Sequence, residues 1–327
     1  MTDPFFTVIV PLYNKGPHVE RALRGVIGQT FGEWELVLVN DASTDDGPAL
    51  AGKLLAHDSR CRILDRSVPG PGGYAARNLA ASVASGSWLA FLDADDEWEP
   101  DHLANLAGTI GTHPGCGFAC TGVYEVMPDG KKTRNESLES LGMGQNGALG
   151  LLSYIQLGCA GRNPVFTSAC AIERSLFNSI GGFPEGGTYR RGGDRDTWLR
   201  AIGASDLAWT AKPTATYHRD AENMVTKTVP FTLDLCMDGT IRAMLADRKE
   251  TAKTPGLARA LKLLANYERK RPIRKRIRNG TVSFDDFRIL YKSVEPVYAA
   301  YVLICAVLPK KLLSRIFATP GGGRTST

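Results

Sequence analysis

Hydrophobic residues in the first hundred positions follow two alternating periods. Short runs rich in valine, isoleucine and leucine predict strands at 6–10, 35–39, 62–64 and 88–92. Between positions 19 and 27 the apolar residues recur every three or four positions, which predicts an amphipathic helix after the first strand. The run at 35–39 is almost wholly apolar, as is typical of a parallel sheet with helices on both faces. A repeated strand-helix alternation of this kind predicts an open α/β sheet.

Polar side chains follow three of the predicted strands. Tyr13 comes after the first strand, Asp41 after the second, and Asp93 and Asp95 after the fourth. In open α/β sheets, ligands lie beyond the carboxyl ends of the strands. Two carboxylates one residue apart in an extended loop point to the same side, where they can hold a divalent cation together with phosphate oxygens. Each of these residues also has a purely structural explanation. Asp93 and Asp95 could form a solvated acidic turn, Asp41 could cap a helix, and Tyr13 could pack in the core.

The middle of the chain predicts further sheet. Residues 118–135 contain two strand-like runs around Pro128-Asp129-Gly130, a pattern that predicts a hairpin, which we expect beside the ligand site. The run at 165–171 predicts another strand.

Four motifs of the chain, in this order and with these gaps, resemble glycosyltransferase family 2. They are Val-Pro-Leu-Tyr-Asn at 10–14, Val-Asn-Asp-Ala-Ser-Thr-Asp at 39–45, Ala-Ala-Arg-Asn at 75–78 and Phe-Leu-Asp-Ala-Asp-Asp at 91–96. The resemblance implies a GT-A fold, which is a Rossmann-like, mixed but mostly parallel sheet flanked by helices. It implies a catalytic domain at 1–240, with a nucleotide-binding half at about 1–115 and an acceptor half at about 116–240. It also implies inverting transfer of a sugar from a nucleoside-diphosphate sugar, UDP being favoured, with Mn²⁺ or Mg²⁺ as cofactor.

The resemblance gives a role to each residue that matches a family motif. The residues expected at the nucleotide sugar are Pro11, Leu12, Tyr13, Asp41, Gly73, Arg77, Asn78, Asp93 and Ala94. Among them Asp41 would bond the base and Asp93 the ribose, although Arg77 is also compatible with a local salt bridge. Asp95 would hold the metal beside the diphosphate. His218 aligns loosely with a polar position near the diphosphate and is the second expected metal ligand, whereas a lone histidine is more often structural.

Inverting transfer needs a group that takes the proton of the acceptor hydroxyl. The family places it in a Glu-Asp pair ahead of a helix, and the matching stretch here is Gly-Gly-Asp-Arg-Asp-Thr-Trp-Leu-Arg at 192–200. Asp194 falls on the Asp of that pair and is the expected catalytic base. Gly193 stands where the family commonly has Glu, so Asp196 becomes a rival, although it also suits a helix cap. The Gln-x-x-Arg-Trp motif of processive synthases does not follow Asp194, which favours transfer of a single sugar.

Charge separates the C-terminal region from the rest of the chain. Residues 1–241 carry 20 Lys and Arg against 28 Asp and Glu, whereas 242–327 carry 19 against 6. We expect 241–327 to form a basic helical extension with a disordered end. Its apolar run at 297–308 is shorter than the about 20 residues that span a bilayer. The combination suits docking on an anionic membrane surface, where a glycan or lipid-linked acceptor would lie, but packing on the catalytic domain or in a homo-oligomer explains it equally well.

Other classes of protein fit the sequence less well. The segment after the first strand has neither the glycine fingerprint of a dinucleotide-binding enzyme nor the phosphate loop of a nucleotidyltransferase. The basic cluster at 269–278 lacks interleaved aromatic residues, so nucleic acid is not an expected partner. Seven scattered cysteines and a start without a secretory leader predict a reduced, cytoplasmic protein. A non-catalytic nucleotide-sugar-binding protein of the same fold stays open because of Gly193.

Overall fold

The structure is a computed structural model that describes residues 4–138, 145–185, 189, 191–221, 228–230, 232–309 and 313. The chain divides into two compact units, Met1–Val229 and Pro230–Thr327. The first unit contains the sheet and every residue predicted for the ligand site. The second unit is helical in its described residues.

The sheet of the first unit begins with four parallel strands in the order β3-β2-β1-β4. These strands are β1 Phe6–Leu12, β2 Trp34–Asp41, β3 Cys61–Arg66 and β4 Trp88–Phe91. The other strands in the described residues are β5 Glu97–Trp98, β6 Phe118–Val126, β7 Lys132–Arg134, β8 Asn146–Leu149, β9 Cys170–Glu173 and β10 Leu207–His218. The four predicted strands are therefore confirmed. Strands β1, β2 and β3 are a few residues longer than predicted, and β4 ends one residue earlier.

The sheet continues from β4 through β9, β6 and β10 to β5. Strand β9 runs antiparallel to both β4 and β6, whereas β6 and β10 are parallel. The predicted hairpin is confirmed, because β6 and β7 pair antiparallel across a turn that contains Gly130. The sheet is mixed, and its parallel strand pairs join more residues than its antiparallel pairs, which confirms the predicted α/β class.

Helices cover the sheet. They are α1 Gly16–Ile27, α2 Gly47–Leu55, α3 Tyr74–Ser82, α4 His102–Thr112, α5 Leu151–Cys159, α6 Arg174–Ser179 and α7 Gly193–Ala204. The apolar spacing predicted the buried face of α1, where Val19, Leu23 and Val26 are fully buried. Prolines 17 and 48 stand in the first turns of α1 and α2, where the missing N–H is not needed.

The strand predicted at 165–171 starts later than expected. Residues Thr167–Ala169 form a 3₁₀ turn, and strand β9 begins only at Cys170. The Ser168 hydroxyl in this turn donates a hydrogen bond to the buried Asp96 carboxylate. A polar long-range contact therefore replaces the strand pairing that the apolar pattern predicted.

The second unit consists of helices with a small core of its own. They are α8 Asp238–Ala246, α9 Arg248–Lys253, α10 Leu257–Arg278, α11 Phe284–Arg288 and α12 Pro296–Val307. Ile273 and Ile277 of α10 pack with Val302 of α12 in this core. The prediction of a helical extension is confirmed, and the apolar run forms helix α12. Across the described residues, no helix combines the length and the apolar character that crossing a bilayer requires.

His102 at the start of α4 is a fully buried histidine without a catalytic neighbour. Its ring stacks on Trp98 with centroids 4.3 Å apart, and Nδ1 lies 2.8 Å from the Thr214 hydroxyl. Burial lowers the pKa of His102 to about 3. The folded protein therefore keeps this ring neutral at pH values where an unfolded histidine takes up a proton.

We expect His102 to make the folded state sensitive to mild acid. Because an unfolded histidine titrates near pH 6.5, the unfolded chain binds more protons below that pH, and stability falls as the pH drops toward 3. Between pH 7 and 5 this residue alone should lower the free energy of unfolding by about 2 kcal/mol. Urea unfolding at both pH values would measure it, and His102→Gln should reduce the difference by that amount. An unchanged difference in the variant would contradict the assignment.

Candidate active site

Three carboxylates follow strand β4 in one tight turn. Each of Asp93, Asp95 and Asp96 offers an oxygen that lies within 4.8 Å of the others. The turn is closed by the Asp96 amide, which donates to the Asp93 carbonyl at 3.0 Å. Asp93 and Asp95 are half-buried, whereas Ala94 between them is only 2% exposed and belongs to the core. The carboxylates of Asp93 and Asp95 thus lie close together as predicted, but in a hydrogen-bonded turn and not in the predicted extended loop.

The buried side chain of Asp96 holds this turn in place. The His218 backbone N–H donates to Asp96 Oδ1 at 3.0 Å, and the Ser168 hydroxyl donates to Oδ2. Ser168 also accepts a hydrogen bond from the Asp93 amide at 3.1 Å. Burial, followed by the negative charges of Asp95 and Asp93, raises the pKa of Asp96 well above its usual range. Local sequence patterns contain no separate signal for this role, because Ser168 and His218 lie 72 and 122 positions away from Asp96 along the chain.

Cations of the chain face the two open carboxylates. Lys15 Nζ lies 2.7 Å from Asp95 Oδ2, and the Arg77 guanidinium pairs with Asp93. Arg77 also donates to the Gly72 carbonyl at 2.8 Å, and Arg21 donates to the Asp95 carbonyl. The local salt bridge considered for Arg77 is therefore present, with a predicted site residue as its partner. Carboxylate oxygens fit Mg²⁺ or Mn²⁺ chemically, and an ion at Asp95 would have to displace Lys15.

His218 contacts the acidic turn through its backbone. Its ring Nε2 lies 3.3 Å from Glu97 Oε2, and Nδ1 lies 3.9 Å from Asp220 Oδ1. Burial, with the charge of Arg21 next, lowers the pKa of His218, which favours the neutral ring. Within the described residues, the cluster of ligand atoms that lie within 4.8 Å of one another consists of Asp93, Asp95 and Asp96 and does not include this ring. Its role as a metal ligand stays a prediction.

The expected base pocket lies at the ends of β1 and β2. Asp41 is only 1% exposed, and its carboxylate pairs with Arg66 and accepts the Gly70 amide at 3.0 Å. It therefore does not cap a helix, because α2 begins after Asp46. Tyr13 leaves 47% of its surface exposed, so its ring can lie against a planar ligand.

Gly73 and Leu12 lie next to the expected base pocket. Gly73, with φ of +68°, approaches Pro11 so closely that an added Cβ would lie 3.4 Å from Pro11 Cβ. Leu12 is fully buried in the core, and its carbonyl accepts the Ser43 hydroxyl at 3.2 Å. The side chains of Leu12 and Ala94 consequently cannot reach a nucleotide sugar, and only their backbone atoms can. Leu12 is the last residue of strand β1, whereas Ala94 is buried within the tight turn that follows strand β4.

Asn78 holds the turn that precedes helix α7. Its side-chain oxygen accepts the Phe183 amide at 2.9 Å, and its nitrogen donates to the Phe183 carbonyl at 2.9 Å. The left-handed Gly182 of this turn could not carry a side chain, since a Cβ would lie 2.8 Å from Asn78 Oδ1. In this structure Asn78 thus positions the segment that leads to α7, and its predicted contact with the nucleotide is untested.

Helix α7 begins at Gly193, where the family commonly has Glu. The Gly193 amide donates to the Tyr74 hydroxyl at 2.9 Å, and Tyr74 stacks on Phe183 with an interplanar angle of 12°. A Cβ at position 193 would lie 2.6 Å from Tyr74 Cζ and 2.8 Å from Pro184 Cγ. No side chain fits there, because the Tyr74 ring and Pro184 occupy the space. The Glu that the family commonly has at this position is therefore incompatible with Tyr74 as it is placed here.

Asp194 stands in the first turn of α7, half-buried, where a negative charge is favoured. Its rival Asp196 does not cap the helix, because the helix starts three residues earlier. Asp196 is 5% exposed and pairs with Arg200 at 2.9 Å. That ion pair is internal to the helix and leaves Asp196 little access to an acceptor.

Arg77 links Asp194 to the acidic turn. Helix α3 carries Tyr74 and Arg77 one turn apart, so one helix contacts both the start of α7 and Asp93. Burial opposes the charge of Arg77, yet the carboxylates of Asp93 and, more weakly, Asp194 raise its pKa. Asp194 is thus within electrostatic range of the guanidinium that pairs with Asp93, and the third predicted acid, Asp95, belongs to the same turn as Asp93.

The close packing at Gly193 gives a testable consequence. Gly193→Ala should lower the free energy of unfolding by about 1–3 kcal/mol, because the methyl group overlaps the Tyr74 ring. The loss should be smaller in a Tyr74→Ala background, as two contacting positions are not additive. Gly52→Ala is the control, since a Cβ there meets nothing within 4 Å. Equal losses of stability at positions 193 and 52 would contradict the packing described above.

The Glycosyl transferase family 2 model matches residues 7–180. Among curated proteins, TuaG of Bacillus subtilis (strain 168), a glycosyltransferase named for teichuronic acid biosynthesis, is 32% identical over 127 residues. That alignment covers 39% of this chain and 50% of TuaG, so the chain spans half the length of this relative.

Two solved structures share the architecture. S. aureus TarS 1-349 in complex with UDP-GlcNAc has a TM-score of 0.72 at 17% identity, covering 95% of this chain and 91% of that one. The mannosyltransferase PcManGT from Pyrobaculum calidifontis, in complex with GDP-Man and Mn²⁺, has a TM-score of 0.55 at 20% identity, covering 97% and 80%. These likenesses concern the fold, and they confirm the predicted GT-A architecture.

Proposed function

Because this chain belongs to glycosyl transferase family 2, we propose that it is an inverting glycosyltransferase that moves a single sugar from a nucleoside-diphosphate sugar to an acceptor hydroxyl. UDP is the favoured nucleotide. The observation that carries the proposal is the arrangement around Arg77. Its guanidinium pairs with Asp93 of the acidic turn, and the negative charge of Asp194 contributes to the raised pKa of Arg77. A donor-binding acid and a proton-accepting acid on one cleft are the two parts that this reaction requires.

The donor would lie at the carboxyl ends of β1, β2 and β4. Tyr13 would stack on the base and Pro11 would line the pocket with Gly73, while Asp41 and its partner Arg66 would meet the polar edge of the base. Asp93 would accept a hydrogen bond from the ribose. The exposed ring of Tyr13 supports this placement, as does the close approach of Gly73 to Pro11.

Asp95 would hold a divalent cation, Mn²⁺ or Mg²⁺, with His218 as a further candidate. The oxygen donors of the acidic turn support such an ion, and PcManGT contains Mn²⁺. When bound, the ion would stabilise the negative charge of the departing nucleoside diphosphate. Lys15, which pairs with Asp95 here, would be free to contact the diphosphate once an ion has taken its place.

Asp194 would take the proton from the acceptor hydroxyl while the oxygen attacks the anomeric carbon from the face opposite the diphosphate. Tyr74 would position Asp194 by holding the Gly193 amide, and Asn78 would do so by fixing the preceding turn. The acceptor we propose is a surface glycan or a lipid-linked intermediate in its assembly, since TuaG is named for teichuronic acid biosynthesis. Such an enzyme would work in the cytoplasm, at the inner face of the cell membrane.

A screen for ligands by thermal unfolding tests the proposal. Nucleotide sugars, among them UDP-GlcNAc and GDP-Man, would be added to the full chain with and without MnCl₂. We expect one donor class to raise the melting temperature only in the presence of metal, since binding to the folded state stabilises it. A set of nucleotide sugars that leaves the melting temperature unchanged under both conditions would count against the proposal.

Gly193 supports one alternative, a non-catalytic nucleotide-sugar-binding protein of the same fold. The family's Glu is absent from this position, and Tyr74 leaves no room for it. Such a protein would bind the donor in the thermal screen but would release no nucleoside diphosphate from it. Asp194 in the first turn of α7 favours the enzyme over this alternative.

A further inference from the structure

One side of helix α12 exposes an apolar surface, which we call the α12 face. It consists of Val297, Ala300, Tyr301, Ile304 and Val307, spaced three or four residues apart. Val297 is 83% exposed, Ile304 57% and Val307 61%. Of the eleven large hydrophobic side chains that are exposed in the described part of the chain, four lie on this one helix. Because the helix also contains no charged residue, the face is a contiguous patch rather than scattered surface residues.

The opposite side of α12 holds the helix in place without help from the face. Ala299, Val302 and Cys305 are at most 3% exposed. They pack against Ile273 and Ile277 of α10 in the core of the second unit. Removing the apolar side chains of the α12 face should therefore leave this core intact. Packing within the second unit does not explain why these exposed residues are apolar.

Cations of α10 lie near the first turns of α12. The exposed basic residues in the last turns of α10 are Arg271, Arg274, Lys275 and Arg278. Burial raises the pKa of Tyr298 to about 12, and the charge of Arg274 opposes the rise at both Tyr298 and Tyr301. Lys270 pairs with Glu295 just before α12, and its ammonium lies 5.3 Å from the centre of the Tyr298 ring. Lys270 and Arg274 of α10 therefore lie close to the tyrosines of α12, and further exposed cations follow them on the same helix.

We propose that the α12 face docks on the surface of an anionic lipid bilayer. Its apolar side chains would enter the boundary between head groups and acyl chains, and the α10 cations would contact the lipid phosphates. Helix α12 has 12 residues, which suits lying in the interface and not crossing the membrane. The proposal goes beyond the sugar-transfer reaction and depends on none of its residues.

Charge favours a membrane over a second copy of the chain. Residues 230–309 carry 15 Lys and Arg against 8 Asp and Glu. In a symmetric dimer through the α12 face, the cations of both α10 helices would approach each other, and like charges repel. An anionic bilayer supplies the opposite charge together with an apolar layer, so it matches both properties of this surface.

Co-sedimentation of the full chain with lipid vesicles tests the proposal. One set of vesicles would contain equal parts phosphatidylglycerol and phosphatidylcholine, and the other phosphatidylcholine alone. We expect binding to the anionic vesicles at low ionic strength and weaker binding at about 0.5 M salt, where charges are screened within a few ångströms. Absence of binding to the anionic vesicles at low ionic strength would overturn the proposal.

Two charge-matched variants locate the contact. Ile304→Asp with Val307→Asp should lower the partition coefficient about tenfold or more, because carboxylates resist transfer into the interface. Ile27→Asp with Leu50→Asp adds the same charge at exposed helix positions of the first unit and should change it less than about twofold. Arg274→Glu with Lys275→Glu should also lower it about tenfold or more at low salt. Unchanged melting temperatures would show that the variants are folded.

Two outcomes would refute membrane docking even if the variants fold. In the first, both aspartate pairs weaken vesicle binding equally, which would mean that net charge and not the α12 face is responsible. In the second, the chain ignores vesicles but forms a concentration-dependent dimer in sedimentation equilibrium that Ile304→Asp with Val307→Asp abolishes. That result would assign the face to a second copy. Neither outcome bears on sugar transfer, which is measured separately.

Discussion

Replacing Asp194 by asparagine should lower the rate of sugar transfer by about 10²- to 10⁴-fold, the range associated with a positioned general base. The amide has the same shape as the carboxylate but cannot take the acceptor proton. Asp194 is half-buried, so folding should be unaffected. The measurement is the release of nucleoside diphosphate from the donor that stabilises the protein, with the melting temperature of the donor complex recorded in parallel.

Asp196→Asn is the matched control for this experiment. Asp196 pairs with Arg200 inside helix α7 and is nearly buried, so its replacement should lower stability while folded molecules keep most of their activity. The reverse pattern, with activity lost at Asp196 and kept at Asp194, would move the base to the rival position. Activity kept in both variants would leave the reaction without either predicted base.

The second large effect is expected at Asp95. Asp95→Asn should weaken metal-dependent donor binding by about 10- to 100-fold or more, since changes even beyond the direct ligands of a metal have effects of this size. Lys15→Met should strengthen the binding of Mn²⁺ in the absence of the donor. An ion would then no longer have to displace the ammonium that lies 2.7 Å from Asp95. Mn²⁺ titration followed by electron paramagnetic resonance would measure both.

Asp58→Asn provides the control for these variants. Asp58 forms a comparable ion pair, 2.7 Å from Arg60, at a distance along the chain from the acidic turn. Its replacement should leave Mn²⁺ affinity unchanged. If Asp95→Asn and Asp58→Asn bound Mn²⁺ and donor alike, Asp95 would not be a metal ligand in this protein.

Local patterns predicted most of the fold because they depend on nearby residues. The spacing of Val19, Leu23 and Val26 predicted the buried side of α1, and the apolar run at 35–39 predicted a strand covered on both faces. The same alternation predicted that Asp93 and Asp95 face one side of their turn. The family motifs place Leu12 and Ala94 among the contacts of the donor, whereas both side chains are buried in the structure.

Contacts between distant parts of the chain could not be predicted in this way. Ser168 supports Asp96, and Tyr74 excludes a side chain at Gly193, but more than 70 positions separate the residues of each pair. Hydrophobic periodicity contains no information about such pairs. The start of α7 at Gly193 was missed for a related reason, because left-handed Gly192 precedes it in place of a side-chain cap.

A diffraction experiment on crystals of the Asp194→Asn variant with Mn²⁺ and the donor found in the thermal screen tests the central claim most directly. We expect an anomalous manganese peak about 2.1 Å from an Asp95 oxygen and against the diphosphate. The base should lie near Tyr13 and Asp41, and the anomeric carbon should face residue 194. A donor bound with its diphosphate away from the turn of Asp93 and Asp95, or with its sugar turned away from residue 194, would contradict the account.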